Sequence, residues 1–362
     1  MKTKIVNKAK RMVIGFLPFY LLTFLPLMTS CKNGDAEFPD YEGGTTVYFA
    51  YQYPERTIVL GDDDYDTTLD KAHKCQIKAT FGGSYHGSNG TVQVAVDPTL
   101  VQNLTFEDGT PVKAMPESYY QLQTNTLAFN GTMNGTTEVQ LTDAFFNDPD
   151  AVKNTYVIPV VMTGQTGFGR ILSGTLKEDG SVIRTDASQW EVLPMDYVLY
   201  CVKFQNKYSG YWLTNGNTSI DNIEKAGTVQ IKTRSLNTCV YTVSYLKDYE
   251  AKTFDDKGNE VKKHEQRLYT ADLLLTFDGS ENCTITSLTP GVTVTGTGTW
   301  ADDGAKKSWG NKDRDLMELN YTVDFNAVDD YGNAIEKGVT HEQMVWQRSG
   351  ITREEFSPIY TK

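Results

Sequence analysis

The sequence predicts an all-β protein of two modules, a β-sandwich followed by an antiparallel, up-and-down β-barrel. Past residue 44, short runs rich in β-branched and aromatic residues follow one another almost without interruption. Clusters of glycine, aspartate and asparagine separate these runs, as turns do between strands. Without its first 30 residues the chain has roughly 330, a length typical of two domains.

The first half consists of short predicted strands joined by turns. Several of them alternate apolar with polar residues, which is the period of a strand with one buried face. Repeated short strands at such intervals favour a β-sandwich. Only residues 142–154 are compatible with a short helix. The predicted strands are 45–50, 57–60, 75–79, 91–96, 137–141 and 156–162.

A polar, turn-rich segment at 177–194 marks the predicted boundary between the modules. In the second half, residues 254–266 and 328–343 share an Asp-Asp-x-Gly-Asn pattern, which predicts a tight hairpin tip in each. Consecutive strands joined by hairpins favour a closed or nearly closed up-and-down barrel. Its predicted strands are 197–204, 229–233, 239–245, 268–277, 292–300, 316–325 and 344–347.

The N-terminus has the layout of a secretory signal peptide. Residues 1–11 are basic and residues 12–27 form an apolar run that two prolines interrupt. This run is short for a membrane span, although an uncleaved membrane anchor stays an alternative. The four residues 28–31, Met-Thr-Ser-Cys, resemble a bacterial lipobox, in which the cysteine is acylated and becomes the new N-terminus. Cys31 is therefore the predicted lipidation site, and its acyl chains would hold the protein on a membrane.

The residues that follow Cys31 are acidic and predict a flexible tether. This stretch resembles the tether of Bacteroidetes lipoproteins that reach the outside of the outer membrane, so we expect a lipid-anchored outer-membrane protein that faces the cell surface. Removal of residues 1–30 takes away five basic residues and changes the net charge from −12 to −17. So acidic a chain is a poor partner for nucleic acid or anionic lipid.

Four cysteines remain once Cys31 is acylated: Cys75, Cys201, Cys239 and Cys283. Each lies in a strand-like run, where a buried thiol packs well. An exported protein also permits disulfides, and the spacing selects no connectivity. Free, buried thiols are favoured over bridges.

The sequence contains no convincing catalytic or metal-binding motif, so we expect no enzyme activity, no cofactor and no metal. His264 and His341 each begin an HExxH-like run, but Leu268 and Val345 occupy the second histidine position. The acidic run at 62–66 lacks the glycine and glutamate that an EF-hand loop requires, which favours a solvated turn. Paired carboxylates for glycoside hydrolysis stay open, because no particular pair is marked.

Aromatic residues supply the candidate ligand-binding site. Tyr208, Tyr211 and Trp212 cluster in the stretch KYSGYW, and Trp300 and Trp309 flank an Asp/Lys-rich loop. Aromatic faces stack on sugar rings, so Tyr208, Tyr211, Trp212 and Trp309 are the predicted glycan contacts. The alternative is that these aromatics pack in the core or across strands, as they usually do in β-proteins.

Longer stretches resemble a family of exported Bacteroidetes lipoproteins with two domains of unknown function. The first-half stretches are 47–70, 91–101, 115–122 and 139–163, and the second-half stretches are 197–212, 294–323 and 344–351. The resemblance implies an N-terminal immunoglobulin-like sandwich and a C-terminal lipocalin-like barrel. Such proteins are associated with outer-membrane glycan-import systems, which implies a glycan ligand and a transporter partner. The resemblance implies no particular binding-site or catalytic residues.

The expected function is a non-catalytic, glycan-binding accessory of such an import system. A structural or protein-partner module of an outer-membrane complex is the alternative, and a glycosidase is less favoured. The predicted organisation is a signal peptide at 1–30, an acylated tether at 31–44, the sandwich at 45–180, a linker at 181–195 and the barrel at 196–362.

Overall fold

The computed structural model describes residues 38–61, 65–218, 224–352 and 354–361. The predicted signal peptide, the lipidation site Cys31 and residues 62–64 of the acidic run lie outside the described residues. The chain from Gly43 onward forms one compact unit, distinct from residues 1–42. No helix within the described ranges is long and apolar enough to cross a membrane.

The all-β class is confirmed, and so is the predicted order of an N-terminal β-module followed by an antiparallel β-barrel; the first is a curled sheet and the second a closed barrel of eight strands. The described residues contain two α-helices of one turn each, α1 (Thr68–Lys71) and α2 (Asp143–Phe146). The helix predicted at 142–154 is realised as α2 and a 3-10 turn at Pro149–Val152, because Pro149 starts a new turn.

One continuous sheet of twelve strands is built from eleven strands of the first part of the chain and from one strand of the C-terminal tail. It is curled so that its concave side holds a hydrophobic core. An immunoglobulin-like sandwich divides such faces between two sheets, whereas here one sheet supplies both. The strands of this part are β1 (Thr46–Tyr48), β2 (Pro54–Val59), β3 (Lys74–Gly82), β4 (Thr91–Val96), β5 (Leu104–Thr105), β6 (Lys113–Ala114), β7 (Tyr120–Leu122), β8 (Thr126–Ala128), β9 (Asn134–Leu141), β10 (Tyr156–Thr166), β11 (Arg170–Ile171), β12 (Thr175–Leu176), β13 (Trp190–Val192) and β14 (Tyr197–Gln205). All of these except β5, β12 and β13 belong to the twelve-stranded sheet.

Burial along the strands follows their sequence pattern. β9 alternates buried with partly exposed residues, as the period-2 pattern predicts. β10, in contrast, is buried over seven consecutive residues, because it lies between β4 and β14 inside the sheet. The core is rich in phenylalanine, with Phe81, Phe129 and Phe168 in mutual ring contact at centroid separations of 4.8–5.6 Å.

One strand lies outside the module predicted for it. β14, predicted to open the barrel, pairs antiparallel with β10 and parallel with β2 in the first sheet. Its even-numbered residues Val198, Tyr200, Val202 and Phe204 pack in one core cluster, while its odd-numbered residues pack in another. A strand covered on both faces fits the interior of a sheet, which is why it joins the first sheet. The segment predicted as a linker carries β13, which pairs with β12.

The C-terminal tail returns to the first part of the chain after the barrel, where one of its strands joins the first sheet and the other forms a separate two-stranded sheet. The tail strands β23 (Glu354–Glu355) and β24 (Ile359–Tyr360) pair with β2 and β5, respectively. Between them, Phe356 is buried against the rings of Tyr53 and Phe106, at centroid distances of 5.7 and 5.2 Å. The first sheet therefore contains strands from both sides of the barrel in the sequence.

The barrel is closed and antiparallel, with its strands in sequence order, so the predicted up-and-down topology is confirmed. Large side chains from all eight strands fill its interior, including the fully buried Trp212 and Trp346. Its strands are β15 (Gly210–Thr218), β16 (Glu224–Ser235), β17 (Thr238–Phe254), β18 (Glu260–Phe277), β19 (Asn282–Ser287), β20 (Thr293–Ala305), β21 (Arg314–Asp324) and β22 (Gly338–Arg348).

The repeated Asp-Asp-x-Gly-Asn pattern forms two turns at the same end of the barrel. Asp255 and Asp329 each accept hydrogen bonds from the backbone N–H groups two and four residues later. The first turn is the tip of the long hairpin β17–β18. The second packs against that hairpin, because Asp330 accepts a hydrogen bond from Tyr249 Oη at 2.6 Å.

Candidate functional site

Two of the predicted ligand-binding aromatics are core residues of the barrel. Tyr208 is 3% exposed and stacks on Phe277, with ring centroids 3.7 Å apart and planes at 5°. Trp212 is fully buried, and its Nε1–H donates to the Tyr208 carbonyl at 3.2 Å. Trp212 lies on the inward face of β15, because alternate residues of a strand point to opposite faces. The sequence alone did not show which face would carry its ring. Neither ring presents a free face for stacking on a sugar.

The other two predicted residues lie near the surface and apart from each other. The Tyr211 ring packs under the Arg348 guanidinium, 4.6 Å from the ring centroid, and against Gly350. Trp309 is 45% exposed in the 3-10 turn Trp309–Asn311, where its carbonyl accepts a hydrogen bond from Arg314. The four predicted aromatics therefore do not converge on one surface.

Charged groups converge instead at the base of the barrel, in a cavity of about 480 Å³ that we call the basal cleft. The cleft lies where the turns between barrel strands meet the end of β2. It brings together two lysines, three carboxylates and one tryptophan from segments far apart in the sequence. Its lining residues are Leu60, Gly61, Lys71, Lys207, Glu281, Trp300, Ala301, Asp302 and Asp315.

Lys207 is a firmly positioned cation of the basal cleft. Its Nζ lies 2.6 Å from Glu281 Oε1 and 4.3 Å from the centroid of the Trp300 ring. The other oxygen of Glu281 accepts a hydrogen bond from Tyr208 Oη at 2.9 Å. Burial, and then this carboxylate, raise the pKa of Tyr208, so its hydroxyl stays a donor. Lys207 is thus held by a charge-assisted hydrogen bond and a cation–π contact together.

The turn that carries Glu281 is built by local hydrogen bonds. Asp278 Oδ1 accepts from the N–H groups of Ser280 and Asn282 at 2.8 and 3.0 Å. Glu281 itself has a φ of 63°, a left-handed conformation that is costly for a residue with a side chain. Its carbonyl accepts a hydrogen bond from the Trp300 backbone N–H at 3.0 Å. The turn therefore fixes both Glu281 and Trp300 on one wall.

The Trp300 indole provides a hydrogen-bond donor without an acceptor in the described chain. The residue is 7% exposed, and its buried Nε1 has no hydrogen-bond partner among the described residues. A buried donor left unsatisfied costs about 1–3 kcal/mol.

Two further carboxylates complete the cleft. Asp302 is exposed, whereas Asp315 is 2% exposed and accepts a hydrogen bond from the Asp303 N–H at 3.1 Å. The ammonium of Lys207 and the carboxylates of Glu281 and Asp302 make a surface that can bind several hydroxyl groups at once.

A second polar cluster lies inside the barrel and away from the cleft. Glu342 is fully buried and accepts hydrogen bonds from Tyr321 Oη at 2.7 Å and Tyr241 Oη at 2.9 Å. Burial and this carboxylate raise the pKa of both tyrosines. The cluster is satisfied internally, so it ties three barrel strands together.

The described cysteines offer no reactive thiolate. All four are free and buried. Burial raises the pKa of Cys75, Cys201 and Cys283 to about 12 and that of Cys239 to about 11. Within the described ranges, no group of three or more His, Cys, Asp or Glu side chains is arranged to hold a metal ion.

Most residues of the basal cleft were not predicted from the sequence. The sequence did single out Trp300 and the Asp/Lys-rich loop that contains Asp302. Lys207 borders the aromatic cluster but carried no signal of its own, and Glu281 lies in an ordinary-looking turn. No local pattern connects these segments, because only barrel closure brings their turns together.

Two family profiles match the chain. A domain of unknown function, DUF5627, matches residues 207–350, and a profile described as an N-terminal domain matches residues 41–169. Among curated proteins, no relative matches. A structural-genomics structure of unknown function from Bacteroides ovatus is 32% identical and covers 89% of this chain and 100% of its own, with a TM-score of 0.71.

Two more Bacteroides ovatus structures are similar at much lower levels. A multidomain protein including DUF1735 is 9% identical and covers 83% of this chain and 93% of its own, with a TM-score of 0.34. Another of unknown function is 11% identical and covers 86% and 99%, with a TM-score of 0.33. Likenesses this weak support no inference about function.

Proposed function

Because the chain belongs to the same family as the 32%-identical Bacteroides ovatus protein of unknown function, we propose a function from its own geometry: a non-catalytic lipoprotein that binds a glycan in the basal cleft. The matched profiles indicate no catalytic family. We also propose that the protein is an accessory of an outer-membrane glycan-import system.

The observation that carries this proposal is the fixed position of Lys207. Its ammonium group is held between the Glu281 carboxylate and the Trp300 ring on the wall of an accessible cavity. A group that is already ordered loses little conformational entropy when a ligand binds. The cleft therefore presents a donor and an acceptor at fixed spacing before the ligand arrives.

Sugars match this arrangement better than apolar ligands do. Each hydroxyl both donates and accepts a hydrogen bond, so neighbouring hydroxyls can bridge a lysine and a carboxylate. An apolar ligand would leave these groups desolvated and unpaired.

The direct test is a glycan array followed by calorimetry with the full chain purified in detergent. We expect Lys207→Met and Asp302→Asn to weaken saccharide binding by about tenfold, which corresponds to one lost charge-assisted hydrogen bond. Lys232→Met and Asp256→Asn are matched controls, because both residues are exposed on the barrel away from the cleft. Absence of any saccharide binding would refute the proposal, and product release from a polysaccharide would refute its non-catalytic part.

The lipid anchor is tested separately. Acylation of Cys31 would place several alkyl chains on the mature N-terminus, enough for stable membrane attachment. Cys31→Ala should therefore shift the protein from the membrane fraction to the soluble fraction and change its processing. An unchanged membrane fraction and unchanged processing would contradict the lipoprotein assignment.

One observation favours the alternative, a module that binds a partner protein. The hairpin β17–β18 carries Leu246 directly opposite Leu268, and these side chains are 53% and 67% exposed. An exposed cross-strand leucine pair on a long hairpin is a feature of interaction surfaces. Co-purification with an outer-membrane transporter that Leu246→Asp abolishes, together with an inert glycan array, would favour this alternative.

A further inference from the structure

We infer that the first sheet contains a second binding site, a pocket for a single carboxylate-bearing ring such as a hexuronic acid. The pocket has a volume of about 370 Å³ and lies between the edges of β2 and β3. It shares no lining residue with the basal cleft, so this inference stands independently of the proposed function.

The pocket exists because the curled sheet does not close between β2 and β3. β1 pairs with β3 only over Thr80–Gly82, so the edge of β3 over residues 74–78 has no strand partner in the described chain. The ladder to β9 begins with the Leu141 N–H donating to the His73 carbonyl. In an antiparallel ladder the alternate residues face the other way, so the backbone groups of Gln76 and Lys78 face the pocket edge.

The opposite edge, on β2, pairs with β23 only at Pro54 and Glu55, and beyond them it is sealed by side chains. Asp70 accepts a hydrogen bond from the Val59 N–H at 2.9 Å, and Arg56 Nη1 donates to the Thr57 carbonyl. Asp70 also pairs with Arg56 Nη2. These contacts hold the guanidinium at the pocket wall, with a side chain that is still 27% exposed.

Arg56 keeps donor capacity beyond these two contacts. A guanidinium has five N–H donors in one plane, and the described chain engages one on each terminal nitrogen. Such a planar group matches the two oxygens of a carboxylate. Lys78 is exposed on the same wall, and Gln76 adds an amide group beside it.

The charge of the pocket differs from that of the protein. The chain as a whole carries −12, whereas Lys78 adds a positive charge to this pocket and Arg56 is balanced by Asp70. Among the described lining residues the acidic one is Glu55, whose carboxylate accepts hydrogen bonds from Lys203 at 3.0 Å and from Asn154 at 2.6 Å. A negatively charged ligand is therefore attracted here and repelled by much of the remaining surface.

The rest of the lining fits a ring rather than a chain. Tyr51 is 51% exposed at the pocket, and the buried side chains of Tyr200, Val198 and Ile77 form apolar wall. A volume of 370 Å³ holds about one ring with its substituents. A sugar ring with one carboxylate matches both the aromatic and the cationic parts.

The test is calorimetric titration of the full chain in detergent with D-glucuronate, with D-glucose and the neutral methyl ester of glucuronate as comparison ligands. We expect glucuronate to bind at least about tenfold more tightly than either neutral ligand, since these lack the charge-assisted contact. Lys78→Met and Tyr51→Ala should each weaken glucuronate binding by about fivefold or more. Arg56 is left unchanged, because it also seals the strand edge.

A control variant makes the test specific. Lys232→Met removes the same charge from the barrel surface and should bind glucuronate as the natural chain does. No glucuronate binding, or equal binding of glucuronate and its ester, would overturn the inference. So would glucuronate binding that Lys78→Met and Tyr51→Ala leave unchanged. None of these outcomes bears on saccharide binding in the basal cleft.

Discussion

The sealed edge of β2 predicts that Asp70 is one of the most important polar residues of the first sheet. Asp70 is fully buried and replaces a neighbouring strand, because one oxygen accepts from the Val59 N–H and the other pairs with Arg56. Its helix α1 has only four residues and serves to bring this carboxylate to the edge. In Asp70→Ala, the Val59 N–H and the Arg56 guanidinium lose their acceptor together.

The size of the effect follows from the burial of the two partners. Removal of one member of a buried ion pair costs about 3–5 kcal/mol, and a lost backbone acceptor adds to that cost. Arg56 is 27% exposed and can regain water, so the low end applies. We therefore expect Asp70→Ala to lower the free energy of unfolding by about 3 kcal/mol. Asp70→Asn keeps an acceptor for Val59 and should cost about half as much.

Urea denaturation of the full chain at pH 7 measures this effect. Asp66→Ala is the control, because Asp66 lies just before the same helix, is exposed and accepts only from Thr68 in the described chain. It should cost less than about 1 kcal/mol. If Asp70→Ala cost no more than Asp66→Ala, the edge-sealing role of Asp70 would be refuted.

Three further predictions concern other parts of the molecule. Phe356→Ala should destabilise the first sheet by about 3–5 kcal/mol in urea, since its buried ring joins the tail to that sheet, and an effect under about 1 kcal/mol would contradict this role. The hydrogen bond to Glu250 raises the pKa of His264, so its stabilising effect is complete at low pH and lost as pH rises through the raised pKa; His264→Ala should lower the melting temperature at pH 5.5 but not at pH 9. A thiol reagent at pH 8 should label Cys75 and Cys239 only after unfolding, and rapid labelling of the folded chain would contradict their burial.

Strand boundaries could be predicted where apolar and polar residues alternate clearly along the sequence. The strand predicted at 91–96 coincides with β4, since both faces of its alternation are clear. The prediction failed for the outer half of the hairpin β17–β18, where β18 is mostly exposed from Glu260 to Leu268. There the strand is stabilised by its cross-strand partner rather than by a buried face, and a local sequence pattern does not show which segment that partner is.

For a related reason, neither the sheet position of β14 nor the residues that line the basal cleft could be predicted from the sequence. An apolar run such as 197–204 predicts a buried strand but does not identify its neighbours. Likewise, aromatic content marked Trp212 as a ligand contact, although the strand period turns it inward. Lys207, Glu281 and Asp302 are far apart in the sequence and are neighbours only in the closed barrel. A local sequence pattern could therefore not predict that they line one cavity.

The most direct measurement of the central claim is the indole N–H signal of Trp300 in a nitrogen-15-labelled full chain. The chain has five tryptophans, and Trp300→Phe assigns the relevant signal while it keeps an aromatic ring in place. The Trp190 Nε1–H already donates to the Ile183 carbonyl at 2.8 Å and is the internal control. If a glycan binds in the basal cleft, a saccharide identified on the array should shift the Trp300 signal, because the indole lines the cleft beside Lys207, and should leave Trp190 unchanged. Saturable saccharide binding with an unmoved Trp300 signal would contradict the assignment of the glycan to this cleft.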